Sequence, residues 1–225
     1  MKKMLLSLTV ISLATNCFSQ VKYQPETYLA ISVGGSFPVG DFADYDSYAK
    51  ANTGGNTSLR LAIPVSKNFG VYTLVYGQAF SVDDEGIADA YRATGLYDSI
   101  TVGNKNWIIG GVLTGGYASF PINNGELSVE AMMLIGGVYT EFPPFGISAN
   151  HTSLVRRDGG HAWSFGYLIG TGLNYSISKK MCLILDLNYT GSSFEYQQRS
   201  GSVDSLLINQ KVGILNLNFG VGWRF

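Results

Sequence analysis

The sequence predicts an all-β protein, an up-and-down antiparallel transmembrane β-barrel of about eight strands. Three observations carry that expectation. Apolar and small or polar residues alternate with period two through successive segments of about ten residues or more; the polar links between segments are alternately long and short; and after residue 20 no apolar run reaches the roughly 20 residues a membrane helix needs.

The amino terminus stands apart from this pattern. Lys2 and Lys3 precede an apolar stretch from Met4 to Ala14 and then small polar residues, the layout of a secretory signal peptide. Residues 1–19 are therefore expected to be cleaved after Ser19, leaving residues 20–225 as one barrel domain. Cys17 follows Asn16, an unsuitable neighbour for a lipidated cysteine. Its removal leaves Cys182 alone, so no internal disulfide can form even in an oxidising compartment. A lone thiol within a strand is read as packing.

The first strand, Thr27–Val39, leads into a long polar link, residues 40–56. The second, Thr57–Val65, turns tightly around Lys67 into the third, Phe69–Val82. A long link over residues 83–106 precedes Trp107–Phe120, which turns through "PINNGE" into Leu127–Thr140. Residues 141–162 form the next long link, ahead of Trp163–Ile177, and a tight "SKK" joins that strand to Met181–Phe194. A last long link, residues 195–211, precedes the closing strand Val212–Phe225. Long links thus gather at one end of the sheet and short ones at the other, the asymmetry of short periplasmic turns and longer external loops.

Face composition separates a membrane barrel from a soluble one. In the closing strand Leu215, Leu217, Phe219, Val221, Trp223 and Phe225 share one face, opposite Asn216, Asn218, Gly220, Gly222 and Arg224. Trp163, Phe165, Tyr167, Ile169, Leu173 and Tyr175 are likewise opposed by Ser164, Gly166, Gly170, Gly172, Asn174 and Ser176. Small residues suit the crowded interior of a narrow barrel and bulky ones suit lipid, whereas a water-facing surface would carry more lysine and glutamate. Aromatics are expected in two girdles: Phe37, Phe80, Trp107, Tyr139, Trp163 and Phe194 near the loop ends, and Phe69, Phe120, Tyr175, Trp223 and Phe225 near the turn ends.

Composition narrows the partners. Only 14% of residues are charged and the net charge is -1, which indicates neither a nucleic-acid footprint nor an acidic solvating tail. The 28 glycines, 14 tyrosines and 12 phenylalanines are a skewed inventory for a soluble enzyme.

"GGSFPVGDFADYDSYAKANTGG" followed by "LAIPVSKNFGVYTLVYG" resembles the opening hairpins of the outer-membrane β-barrel domain family of Gram-negative bacteria, of the small OmpA and OmpX kind. The likeness runs loosely over the mature chain, through Pro38, Gly40, Asp41 and Phe42, through Pro64 to Gly70, and through the aromatic end. It implies a monomeric eight-stranded porin-family barrel of the cell outer membrane, residues 20–225. It also implies a carboxy-terminal assembly signal, Phe219, Trp223 and Phe225, read by the barrel-assembly machinery. No peptidoglycan-binding domain is expected after Phe225. Outer-membrane lipid and lipopolysaccharide are the expected surroundings, and no nucleic acid or cofactor is expected.

Few charges fall on the inward faces: Arg60, Glu130, Asp186 and Arg224. An unpaired charge in a filled interior costs several kcal/mol, so these four are expected to form an internal ion-pair cluster that plugs the lumen. The two histidines, His151 and His161, lie in the third long link. His151 and Ser153, with Asp158 near, are the candidates for a lipid-modifying site, but a loop positions a nucleophile and its base poorly. Two histidines without a third assured ligand make no metal site. Gly34-Gly35, Gly110-Gly111, Gly115-Gly116 and Gly136-Gly137 lie inside strands without a following lysine and helix, so they are read as close approach rather than phosphate loops. Asp83, Asp84, Glu85 and Asp89 lack calcium-loop spacing and are read as a solvated face.

The leading functional expectation is a non-enzymatic barrel that serves envelope integrity, or surface recognition through the exposed loops 40–56, 83–106, 141–162 and 195–211. The alternatives are a lipid-modifying enzyme using His151 and Ser153, and a soluble barrel with an apolar, ligand-binding lumen.

Overall fold

The computed structural model describes residues 26–44, 51–93, 100–104, 106–122, 125–149, 152–157, 159–200 and 203–225. The expected signal peptide lies outside them. In chain order the described strands are β1 (Tyr28–Val39), β2 (Ala51–Pro64), β3 (Phe69–Val82), β4 (Ile100–Asn104), β5 (Trp107–Ile122), β6 (Leu127–Phe142), β7 (Phe145–Ala149), β8 (Thr152–Arg157), β9 (Gly160–Ser176), β10 (Met181–Ser200) and β11 (Val203–Arg224). Eight of them close into a barrel in the order β1-β11-β10-β9-β6-β5-β3-β2, every neighbour antiparallel.

Closure is made by the two ends of the chain. β1 pairs with β11 from Tyr28 opposite Arg224 to Val39 opposite Gly213, so the sheet keeps no free edge along the barrel wall. Because side chains alternate across a strand, register and face are one decision. Leu215, Leu217, Phe219, Val221, Trp223 and Phe225 point outward, and Asn216 and Asn218 are buried within. The other strands carry the same outward apolar stripe, for example Leu29, Ile31 and Val33 on β1 and Leu185 and Leu187 on β10. An apolar surface of this extent marks a membrane or partner-facing belt rather than a water-facing one. A soluble ligand-binding barrel needs the inverse arrangement.

Three features depart from the expected layout. First, the described residues of the expected 195–211 loop are strand: β10 and β11 run on as a hairpin, paired from Ser193 opposite Lys211 up to Ser200 opposite Val203. Pairing with β9 stops at Ser192 and with β1 at Gly213, so the hairpin stands beyond the barrel wall. Second, the links 83–106 and 141–162 hold structure of their own. β4, β7 and β8 form a separate antiparallel sheet in the order β4-β7-β8, and helix α1 (Asp84–Arg92) precedes it. Asp83 starts that helix by accepting from the Gly86 amide at 3.2 Å, an N-cap contact. Third, β2 begins at Ala51, inside the expected 40–56 link.

The upper aromatic girdle is also corrected. Phe37 and Trp163 face outward, but Phe80, Trp107 and Phe194 are buried inside. Phe80 shares the parity of Tyr76 and Gln78, and Phe194 that of Asn188 and Thr190, so alternation sends them inward. The turn-end group Phe69, Phe120, Tyr175, Trp223 and Phe225 is exposed throughout.

Candidate functional site

The buried charges lie in the barrel lumen, which in an eight-stranded barrel is just wide enough to be filled by side chains. Toward the short-turn ends of their strands, β2 directs Arg60 inward and β10 directs Asp186 to meet it. Arg60 donates through Nη1 to Asp186 Oδ1 at 3.3 Å and through Nη2 to Oδ2, a two-pronged pair. Gly172 on β9 leaves the space for it, since a Cβ there would collide with Asp186 Oδ1. The guanidinium also lies over the Tyr72 ring, 4.9 Å from its centroid, and Tyr72 stacks on Tyr117 at 4.0 Å. A planar, weakly hydrated cation suits such a stack.

Among the described residues Glu130 forms no ion pair. Its carboxylate accepts from the Tyr72 hydroxyl, from Tyr28 Oη at 3.3 Å and from Asn174 Nδ2 at 3.5 Å. Tyr28 and Tyr72 meet each other at 2.6 Å. Arg224 is only half-buried and reaches this group indirectly, donating through Nη2 to Asn174 Oδ1 at 3.1 Å. Of the four charges expected to cluster, the structure joins Arg60 directly to Asp186, ties Glu130 to tyrosines, and brings Arg224 in through an asparagine. The sequence reading missed Tyr28 and Tyr72. Parity was the available signal: Tyr72 falls in step with Leu74, Tyr76 and Gln78 on the inward face of β3.

Closer to the loops lies an uncharged layer of amides and hydroxyls. Asn216 is its hub: its Oδ1 accepts from Ser36 Oγ at 2.6 Å and Gln78 Nε2 at 2.8 Å, and its Nδ2 donates to Asn188 Oδ1 at 3.0 Å and Thr190 Oγ1 at 3.3 Å. Asn56 joins through Ser36 at 2.9 Å. Above it an aromatic cap closes the loop end. Gly40, at φ +62°, opens a single 3-10 turn after β1 that carries Phe42 back over the lumen. Phe42 packs edge-on against Phe80 and Trp107, each at 5.4 Å.

The lumen is also less uniformly small than the alternation suggested. Leu74, Tyr76, Leu113, Tyr117, Met132 and Leu134 fill it from β3, β5 and β6, while glycine, serine and asparagine recur on the inward faces of β1, β9 and β11. Bulk on one side is thus matched by small residues on the other, as close packing requires.

Of the candidate enzymatic residues, His151 and Asp158 lie outside the described residues. Ser153 falls in β8 and His161 in β9, where His161 is exposed and stacks near Tyr139 at 6.1 Å. Among the described residues no group of three or more His, Cys, Asp or Glu side chains could hold a metal ion. Cys182 is buried and points inward.

On the outer wall, where the β10-β11 hairpin leaves the barrel, a groove of about 490 Å³ is lined by Val39, Asp41, Phe165, Tyr167, Tyr189 and Lys211 among others. Gly191 and Gly213 also line it, and a Cβ at either would collide with Tyr167 or Tyr189.

No family model and no curated protein matches this chain. Among solved structures it is similar to a major outer membrane protein from Thermus thermophilus, with a TM-score of 0.50 and 14% identity over 88% of this chain and 99% of that one. The chain has the fold of a small outer-membrane β-barrel. Lower-scoring likenesses include the outer membrane protein OprG from Pseudomonas aeruginosa, with TM-score 0.47, 12% identity and coverage of 92% and 99%. Ail, the attachment invasion locus protein of Yersinia pestis, gives a TM-score of 0.46 and 15% identity, with coverage of 89% and 100%.

Proposed function

We propose that this protein is a monomeric, non-enzymatic barrel of the Gram-negative outer membrane, which supports the envelope and offers its loop end for recognition. The observation that carries the reading is the combination of an outward apolar belt with a lumen filled by hydrogen-bonded side chains and capped by Phe42, Phe80 and Trp107. A filled lumen gives no route for a sizeable solute, so the surfaces left to act are the belt and the loop end. At the loop end, the β4-β7-β8 sheet and the β10-β11 hairpin provide organised structure beyond the wall.

Lipid and lipopolysaccharide are the proposed partners of the belt. The groove lined by Phe165, Tyr167 and Tyr189 supports that assignment, because amphipathic rings suit the membrane interface. Phe219, Trp223 and Phe225, exposed on the last strand, are the proposed assembly signal for the barrel-assembly machinery. Export through cleavage after Ser19 belongs to the same reading.

Membrane fractionation with a heat-modifiability gel tests it. A folded form that shifts on boiling, recovered with the outer membrane, is the expected result, and recovery in the soluble fraction overturns the proposal.

A further inference from the structure

Between the charged layer and the amide layer lies a small polar cavity of about 10 Å³, lined by Asn56, Arg60, Tyr76, Gln78 and Asn218 among others. Four of those residues carry a buried polar atom that no protein group satisfies: Nε of Arg60, Oη of Tyr76, Oε1 of Gln78 and Oδ1 of Asn218. Buried polar groups are almost always hydrogen-bonded. That four residues carrying such orphans line one cavity points to a site rather than a packing fault.

We infer that this cavity is an internal hydration site for one water molecule. Its volume matches the roughly 10 to 15 Å³ that a single water requires, and it offers the two to four polar partners such a water takes. The donor and acceptor count is equally specific. Arg60 Nε is a donor that can never accept, and the Tyr76 hydroxyl is free to donate. Gln78 Oε1 must accept, because the same amide spends its Nε2 on Asn216 Oδ1 at 2.8 Å. Asn218 Oδ1 supplies the second acceptor. Two donors and two acceptors complete the four bonds of one water. A halide would face two carbonyl oxygens, and a metal ion would face a guanidinium.

The site also joins parts of the plug that have no direct bond. The terminal nitrogens of Arg60 hold Asp186, and Gln78 belongs to the Asn216 network. A water held by both links the ion pair to the amide layer and fixes the plane of the guanidinium. The ion pair and the amide layer are then one bonded unit at this depth of the lumen.

The test uses the full mature chain refolded in detergent. A crystal structure fine enough to place waters is expected to show a single water within hydrogen-bond reach of all four atoms, with no anomalous peak there after a bromide soak. In solution, the Arg60 Nε proton is expected to give a cross-relaxation peak to long-lived water, lost in Asn218→Leu, which fills the site. If Asn218→Leu does not fold, Gln78→Met supplies the same comparison. A bromide peak, a protein side chain bonded to Arg60 Nε, or a wild-type Arg60 proton with no contact to bound water each overturns the inference.

Discussion

Arg60 on β2 and Asp186 on β10 meet across the lumen although 126 residues separate them in the chain, and their side chains retain 3% and 0% of their exposure. Neither charge is solvated, so each depends on the other. Removing one partner of such a pair costs about 3 to 5 kcal/mol, while replacing both by apolar residues is close to neutral. Asp186→Leu is therefore expected to lower the heat-modifiability midpoint sharply, and Arg60→Met combined with Asp186→Leu to restore most of it. A double variant no more stable than the single one would show that the pair is not the seat of the loss.

Glu130 makes a different demand, because its partners are the hydroxyls of Tyr28 and Tyr72 and the amide of Asn174 rather than a cation. Tyr72→Phe removes one donor while keeping the ring that stacks on Tyr117 and lies under Arg60. Leaving the buried carboxylate short of a donor is expected to cost about 1 to 3 kcal/mol, read as a lower denaturant midpoint for unfolding from micelles. An unchanged midpoint would mean that Tyr28 and Asn174 suffice.

Glycine positions give a paired test of packing. Gly172→Ala drives a methyl into Asp186 Oδ1, and is expected to destabilise by about 1 to 3 kcal/mol, the range for overpacking. At Gly116 an added Cβ meets nothing within 4 Å, on an outward face. Gly116→Ala is expected to fold and shift on the gel like the wild type, and equal losses at both positions would contradict the assigned faces.

The apolar belt predicts a dependence on depth. Leu217→Arg, partway along β11 and facing outward, is expected to cost about 2 to 4 kcal/mol of folding free energy in liposomes, whereas Phe225→Arg at the strand end is expected to cost near zero. Refolding titrations in phospholipid vesicles measure both. A tolerant Leu217 position would place that face away from lipid.

Ser153→Ala is expected to leave lipid A unchanged, as judged by mass spectrometry of extracted lipid from cells expressing the variant and the wild type. A loss of any acyl or phosphate modification would replace the non-enzymatic reading with catalysis by the third loop.

Much of the architecture was legible because period-two alternation ties each residue's face to its neighbours'. The positions of β3 and the outward stripe of β11 follow from that rule alone. The loop end was less legible: the β10-β11 hairpin continues to Ser200 opposite Val203, through a segment whose sequence lacks the sustained apolar alternation of the barrel wall. α1 and the β4-β7-β8 sheet were missed for a related reason, since short elements depend on contacts with each other rather than on a long pattern. For Phe80, Trp107 and Phe194 position along the strand suggests a girdle, whereas their parity with the inward-facing residues places them in the lumen.

The sequence by itself determined the eight strands of the barrel wall, the short connections at one end, the apolar outer face and the inward direction of Arg60, Glu130 and Asp186. Only the tertiary structure decided which of them meet. Closure of β1 on β11 sets the register of every strand around the ring, and that register brings Asp186 to Arg60 and sets Tyr28 and Tyr72 against Glu130. Alternation is a local property that a chain carries along its length, whereas contacts across a lumen depend on how the far strands are staggered when the barrel closes.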